Sequence, residues 1–420
     1  MKRVSLLPGE YLTIEGAARL NIKEGEVLIG EKEYFEGEEY IILRGDKIFV
    51  KAMKESTLEI FLGTGGSIKK VEQVIPESWV KAAKAILDHE KPCVSMIVGG
   101  VDTGKTTLTT YIANQCFENN LRTIVIDADL GQSSIGPPTT ISLGIVNRKI
   151  SRLSDLNMES GFFVGSTSPN HHLLQCISGL RLLLDKALQL KGDVILIDTS
   201  GMISGGPGRA LKIHKTMLIK PNFLFILRKG KELDYLINIF RNINVRPLEV
   251  PEEVRGTSRE ERRFFRELAF RNYFSNAREI EFDLKKVKVI GTFFGTGTVD
   301  EEMKYKISSF FKEKINYCEN LGEGYLIVTE KPRQGRVRND FDRQFKVLEK
   351  GFEEQILVGL LDGDQELLDL GIMRRIDYSN KKAYVYSPTI DPDKINTIKL
   401  GSIRIKEDGK EIGFIPLGSF

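Results

Sequence analysis

Residues 93–106 read CVSMIVGGVDTGKT, a continuous apolar run that breaks into a glycine loop. This stretch constrains the fold more than any other. Gly99, Gly100, Val101, Asp102, Thr103, Gly104, Lys105 and Thr106 fit the pattern G-x-x-x-x-G-K-[ST] without deviation, and the helical pattern TTLTTYIANQCF follows. A buried strand, a glycine loop and a helix in that order form a phosphate cradle. Glycines let successive backbone N–H groups turn inward toward anionic oxygens, and the helix N-terminus adds a favourable dipole. The loop, with Thr107 on the first helical turn, is expected to hold a nucleoside triphosphate. Lys105 is expected to reach the β- and γ-phosphates and the Thr106 hydroxyl to coordinate Mg²⁺. Switches, motors and kinases all use such a loop, so the reaction must be read elsewhere.

The surrounding texture predicts an α/β fold. Apolar strands at RTIVIDAD, GDVILIDTSG and NFLFIL alternate with helices, the pattern of a mainly parallel sheet covered on both faces. At about 150 residues per domain, 420 residues suggest two to three domains. Residues 1–75 read as a small N-terminal β domain of short strands punctuated by glycine, 76–315 as the P-loop α/β core, and 322–420 as a second small β domain. In the last, SNKK between RRIDY and AYVY reads as a hairpin turn.

Composition narrows the class. Sixty-one basic against 58 acidic residues leave +3, too little for whole-surface attraction to a polyanion, so any such site must come from local clustering. Four scattered cysteines without a C-x-x-C pair exclude a disulfide scaffold and the usual zinc spacings, and suit a reducing cytoplasm. The longest apolar runs fall short of the roughly 18 residues of a membrane span, and no signal-peptide core follows Lys2 and Arg3.

Two further strand ends carry acids. Asp127 and Asp129 end RTIVIDAD, where open α/β sheets bind ligands. One is expected to position Mg²⁺ or its waters (Asp127) and the other to accept a proton from an attacking hydroxyl (Asp129). Asp198 after VILI matches a Walker B acid and is expected on a magnesium-bound water. Thr199 and the glycines at 201, 205, 206 and 208 form a donor-rich loop suited to a second substrate.

Residues 255–278 hold seven arginines (255, 259, 262, 263, 266, 271 and 278) and no lysine, although lysine outnumbers arginine 36 to 18 elsewhere. That bias selects the guanidinium fork rather than charge alone. Ser258 and Glu261 form a capping box that sets the helix start. Arg259, Arg262, Arg263 and Arg266 then share one face, with Phe264 and Leu268 on the opposite, docking face. A lid over a migrating phosphate follows, spanning 257–274, with Arg262 and Arg266 as its main pair.

With these motifs in hand, the chain resembles the polynucleotide 5′-hydroxyl-kinase family, in its prokaryotic or archaeal form. That family includes the kinase subunit of the pre-mRNA cleavage complex and the nucleolar rRNA-processing kinase. GGVDTGKTT is similar to its Walker A, DADLGQSSIGPPTTISLG to its D-x-D-x-G-Q segment, and DTSGM to its T-x-G clasp. RRFFRELAFRNYF is similar to its arginine lid, and GLLDGDQELLDLGIMRRIDYSNKKAYVYSP to its C-terminal β domain. The resemblance runs from about residue 10 to the end. It implies Lys105 and Thr106 on the triphosphate and magnesium, and Asp129 as the base for the 5′-hydroxyl. It further implies Gln132 near metal or acceptor, Thr199 and Gly201 in the clasp, and Arg262 and Arg266 in the lid, with Arg259 and Arg263 beside them on the acceptor. The N-terminal domain is implied to flank the nucleotide base.

The activity so implied is Mg²⁺-dependent transfer of the γ-phosphate of ATP, or another NTP, to the 5′-OH of RNA, with DNA as a second acceptor. Two departures are visible: Met202 where eukaryotic members carry an aromatic, and Asp198 where relatives carry asparagine. The basic stretch KPRQGRVRNDFDRQFK at 331–346 is a further place to track a nucleic-acid backbone.

Three alternatives compete. A GTPase switch needs N-K-x-D, and Asn380-Lys381-Lys382-Ala383 lacks the acid. A non-catalytic ATP-binding scaffold has no need of Asp129. A small-molecule kinase has no need of the extra β domains.

Overall fold

The computed structural model describes residues 1–30, 32–44, 46–71, 75–251, 256–330 and 344–416. Arg255 and residues 331–343 of the basic stretch lie outside the described residues. Two compact units are present. One comprises 1–136, 141–160 and 173–263, the other 137–140, 161–172 and 264–420.

The first unit begins with nine short strands: β1 (Lys2–Leu6), β2 (Tyr11–Glu15), β3 (Ala18–Glu24), β4 (Glu26–Ile29), β5 (Lys32–Phe35), β6 (Glu39–Ile42), β7 (Lys47–Ala52), β8 (Ser56–Leu62) and β9 (Ser67–Val71). They form two antiparallel sheets, β1-β8-β3-β6 and β5-β4-β7-β2-β9. Alternation along β8 sends Ser56, Leu58 and Ile60 inward, the last two into a cluster with Leu20, Ile22, Ile14 and Val50. These sheets are tied to the α/β layer by Asn114. Its amide donates to the Gly30 and Ile150 carbonyls at 3.1 and 2.8 Å and accepts from Ile150 N.

Helix α1 (Glu77–Leu87) follows and buries Trp79, Ala82, Ala83 and Ile86, an i, i+3, i+4, i+7 stripe. The α/β layer then alternates β10 (Cys93–Gly99), α2 (Lys105–Glu118), β11 (Thr123–Ala128), β12 (Thr140–Val146), β13 (Ser160–Phe163), α3 (Leu173–Gln189), β14 (Val194–Thr199), α4 (Gly205–Ile219), β15 (Phe223–Leu227), α5 (Asp234–Ile239) and β16 (Asn244–Leu248). Six of its strands lie in the order β12-β11-β14-β10-β15-β16, all parallel except β12. Every residue of β10, β11, β14 and β15 is buried, as strands covered on both faces require. Register decides the site. Asp127 lies directly across from Asp198, and Ile97 across from Asp198 on the other side. The P-loop and the acids therefore leave the same edge of the sheet.

Helix α6 (Arg259–Tyr273) is the arginine helix. In the second unit, β17 (Arg278–Asp283) pairs with Lys382–Ser387, and β18 (Lys288–Ile290) pairs with Thr397–Ile405. The strand Thr298–Val299 likewise pairs with Ile315–Asn320. The sequence reading placed residues up to 315 in the α/β core, and this pairing corrects it. Strands of two to six residues, bonded to partners up to about a hundred positions away, leave little periodicity to read. The turn at 378–381 does join two antiparallel strands, with Asp377 Oδ1 accepting from Ser379 N and Asn380 N. Among the described residues, no helix is long and apolar enough to cross a membrane.

Candidate active site

The cradle is built as its sequence demands. Gly104 sits at φ +85°, a conformation that side chains rarely adopt, and begins α2. A Cβ there would lie 3.3 Å from the Trp79 ring, so the only tryptophan of the chain is the floor beneath the loop. Lys105 is buried and donates to the Gly100 carbonyl at 2.6 Å, and Thr103 Oγ1 donates to the same carbonyl at 3.0 Å. Thr106 Oγ1 donates to Asp198 Oδ2 at 2.7 Å, while Thr107 is exposed on the first turn.

The three acids are brought together, but in unequal roles. Asp129 stands one residue past β11. Its Oδ1 accepts from Gly131 N and Gln132 N at 3.1 and 3.3 Å, which leaves Oδ2 for another partner. Asp127, expected on the metal or its waters, has both carboxylate oxygens engaged by the protein. Its Oδ1 accepts from Asp129 N, and its Oδ2 accepts from Ser134 N, Ile135 N and Ser133 Oγ. Four donors make it the organiser of the 129–135 loop. Asp198 is the open one: among the described residues its buried Oδ1 has no hydrogen-bond partner, as is true of Ser200 Oγ. An unsatisfied buried acceptor costs about 1–3 kcal/mol, a cost that a bound group would relieve. Gln132 is exposed, and its backbone N–H donates to Asp129 Oδ1.

Burial pushes Asp198 up to about 6, although Lys105 and the Thr106 hydroxyl pull the other way. Burial and the facing Asp198 charge push Asp127 up to about 7. A carboxyl whose proton is held more tightly when folded than when unfolded costs the fold stability, by an amount that grows as pH rises from the unfolded value to the folded one and is complete above it. That cost disappears as pH falls. Asp198→Asn, which still accepts from Thr106, is therefore expected to stabilise the nucleotide-free protein at pH 8 by roughly 1–3 kcal/mol. The gain should shrink below about pH 6 and be lost only below about pH 4, near the ordinary carboxyl value of 3.8. Thermal melts of both proteins across this range check it, and equal melting temperatures at pH 8 would refute the cost.

The clasp is more ordered than a donor-rich loop. Thr199 is fully buried, and its hydroxyl donates to the Ile97 carbonyl at 2.8 Å and accepts from Lys212 Nζ at 2.9 Å. That hydroxyl's proton and one of its two lone pairs are thus engaged inside the protein. Gly201 lies so close to the P-loop that a Cβ would stand 2.6 Å from Val101 Cγ2 and 2.8 Å from Val101 N. Lys212 and Lys215 escaped the sequence reading. Both are buried, and burial holds both ammonium groups below their ordinary range, Lys212 well below. A helical wheel of α4 contains the signal, because both share a face with Gly208, Leu211 and Ile219.

The lid begins where the capping box predicts: Ser258 N donates to Glu261 Oε2 at 2.8 Å and Glu261 N to Ser258 Oγ at 3.0 Å. Its first turn is fastened to the P-loop through Asp102. That carboxylate accepts from Thr257 N at 2.6 Å and Thr257 Oγ1 at 2.8 Å, with Arg262 Nη1 at 3.8 Å. Arg262 also donates to the Thr257 carbonyl. Arg262 and Arg266, the two expected lid arginines, have different partners. Within the second unit, Arg266 Nε and Nη2 donate to the Glu411 carboxylate at 2.7 and 3.2 Å. Arg259 and Arg263 are exposed. The docking face is also corrected: Phe264 is 47% exposed, and the buried anchors are Phe270 and Phe274. Aromatics on the two sides of this helix compete, and only tertiary packing chooses between them.

Comparison with known proteins places this geometry. Residues 99–276 match the mRNA cleavage and polyadenylation factor CLP1 P-loop family. The chain is 35% identical over 342 residues to a polyribonucleotide 5′-hydroxyl-kinase of Pyrococcus abyssi, covering 81% of this chain and 96% of that one. It is 36% identical over 350 residues to the enzyme of the same name from Methanocaldococcus jannaschii, covering 81% and 95%. Among solved structures, a complex of Clp1p with Pcf11p superposes with a TM-score of 0.67 at 16% identity, over 96% of this chain and 97% of that one. That likeness concerns the fold.

Proposed function

Because this chain belongs to the family of polyribonucleotide 5′-hydroxyl-kinases with a CLP1-type P-loop, we propose that it moves the γ-phosphate of ATP onto the 5′-OH of RNA. DNA ends are a second acceptor, and the setting is cytoplasmic RNA processing. The chain is a nucleotide-binding phosphotransferase. The observation that carries the finer reading is the meeting of four groups at one sheet edge. Lys105 lies in the cradle, Thr106 is on Asp198, and Asp129 follows the strand paired with Asp198.

In the reaction, the acceptor 5′-oxygen bonds to the γ-phosphorus as the bond to the β–γ bridging oxygen breaks. The hydroxyl proton passes to Asp129, and the nucleoside diphosphate keeps the bridging oxygen. Lys105 offsets charge on the β- and γ-oxygens, and Arg262 offsets it from the lid side. The residues present fit a hard divalent cation: Thr106 Oγ1 and the unpartnered Asp198 Oδ1 are oxygen donors that suit Mg²⁺ or its waters. Bound there, Mg²⁺ would neutralise triphosphate charge. Asp127 holds the loop that carries Asp129, and Gly201 keeps the clasp backbone against the cradle.

The test is end-labelling of 5′-OH RNA and DNA oligomers with Mg²⁺ and several labelled triphosphates. Label transfer to RNA supports the reading. Nucleotide binding without transfer to any acceptor would leave a scaffold instead. Strict preference for GTP would point to a switch. Arg262→Lys should lower turnover roughly tenfold despite its retained charge, because an ammonium cannot reproduce the planar guanidinium that Nη1 anchors at the Thr257 carbonyl beside Asp102. Unchanged turnover in the labelling assay would remove Arg262 from the lid function.

A further inference from the structure

A lysine with no exposed surface needs a reason, since an ammonium is costly to bury unless its donors are matched. Lys212 reaches from α4 into the turn after β14. Its Nζ donates to Thr199 Oγ1 at 2.9 Å and to the Ser200 carbonyl at 2.5 Å. The chain of bonds continues, because Thr199 Oγ1 donates to Ile97 O, two residues before the P-loop begins. Immediately beyond, Gly201 is pressed onto Val101 of the P-loop, and Gly208 of α4 packs on Ile203, where a Cβ would stand 3.0 Å from the Ile203 carbonyl carbon. One ammonium thus links three elements: α4, the clasp turn, and through Thr199 the strand that feeds the cradle.

We propose that Lys212 is the positioning residue of the clasp, setting where residues 199–203 stand relative to the phosphate cradle and hence where the acceptor's 5′ end is received. It touches neither nucleotide nor acceptor and acts through Thr199 and Ser200. The role rests on the kinase reading above. The charges around it are mixed: Asp198 and Asp129 attract it, while Lys105 and Lys215 repel it. Charge alone therefore does not explain its position. Lys215 supplies the natural comparison, being a second buried lysine one turn on that faces Cys176, Asp129 and Asp127.

The experiment compares Lys212→Met with Lys215→Met, each losing one buried charge at similar volume. Lys212→Met is expected to raise the acceptor KM and lower kcat by about 10²-fold, the scale of a small misplacement at a reacting centre. Nucleotide affinity, read from Trp79 fluorescence, should change little. Amide exchange across 200–204 should accelerate in Lys212→Met and not in Lys215→Met. Equal kinetic losses in the two variants would assign the effect to charge and overturn the positioning role, as would unchanged exchange in 200–204. Should Lys212→Met fail to fold, Thr199→Val removes the shared hydroxyl and must move the acceptor KM in the same direction. Wild-type protein that labels no 5′-OH end would refute the kinase reading, while the exchange comparison still decides whether Lys212 holds the clasp.

Discussion

Asp129→Asn is expected to reduce 5′-end labelling by about 10²–10⁴-fold, the usual worth of a positioned general base, with nucleotide binding retained. The substitution is close to isosteric, and its amide oxygen can still accept from Gly131 N and Gln132 N, so the loop keeps its shape. Asp127, which organises residues 129–135 through four donors, is untouched. What is lost is an oxygen able to take a proton. Trp79, the only tryptophan, lies against Gly104 and reports nucleotide binding in the same sample. Wild-type turnover in Asp129→Asn would remove the base assigned here. A parallel loss of binding would instead mean that Asp129 shapes the cradle.

Lys105→Ala is expected to cost about 10²–10³-fold in kcat/KM, comparable to deleting one preorganised donor aimed at developing charge. The empty loop should survive, because Thr103 Oγ1 remains on the Gly100 carbonyl and Trp79 remains beneath Gly104. The charge balance beneath it should not. Lys105 is the cation that most opposes the upward pull of burial on Asp198, so its loss lets that carboxyl hold a proton at still higher pH. Labelling kinetics with circular dichroism on the same preparation separate lost catalysis from lost fold. Activity within a few-fold of wild type would mean that the lysine does not contact the reacting phosphates.

Parts of the site that depend on neighbours in sequence were legible in advance. The P-loop is eight consecutive residues between a buried strand and a helix, and the Ser258–Glu261 box spans one turn. Parts that depend on a choice between surfaces were not. Residues 259–274 carry aromatics at 264, 265, 270, 273 and 274, and their spacing does not say which pair is buried. Packing within the second unit selects Phe270 and Phe274. Arg266 reads as a lid cation, and nothing near it in the chain announces that Glu411, 145 residues away, accepts from its Nε and Nη2. Asp127 reads as a ligand as readily as Asp129 does, because both are acids at a strand end. Only the path of residues 129–135 turns four donors onto one of them.

By itself the sequence determined the parallel apolar strands, the cradle between the first of them and its helix, the acids at the strand ends, and the start of the arginine helix. Each is written in residues within a few positions of one another, where hydrophobic period and backbone preference suffice. Tertiary structure alone decided which acid is free, which arginine meets the P-loop, and that a buried lysine on α4 holds the clasp. Those outcomes turn on which donors fill which lone pairs across dozens of residues, and a buried polar atom's partner cannot be read from its own neighbourhood in the chain.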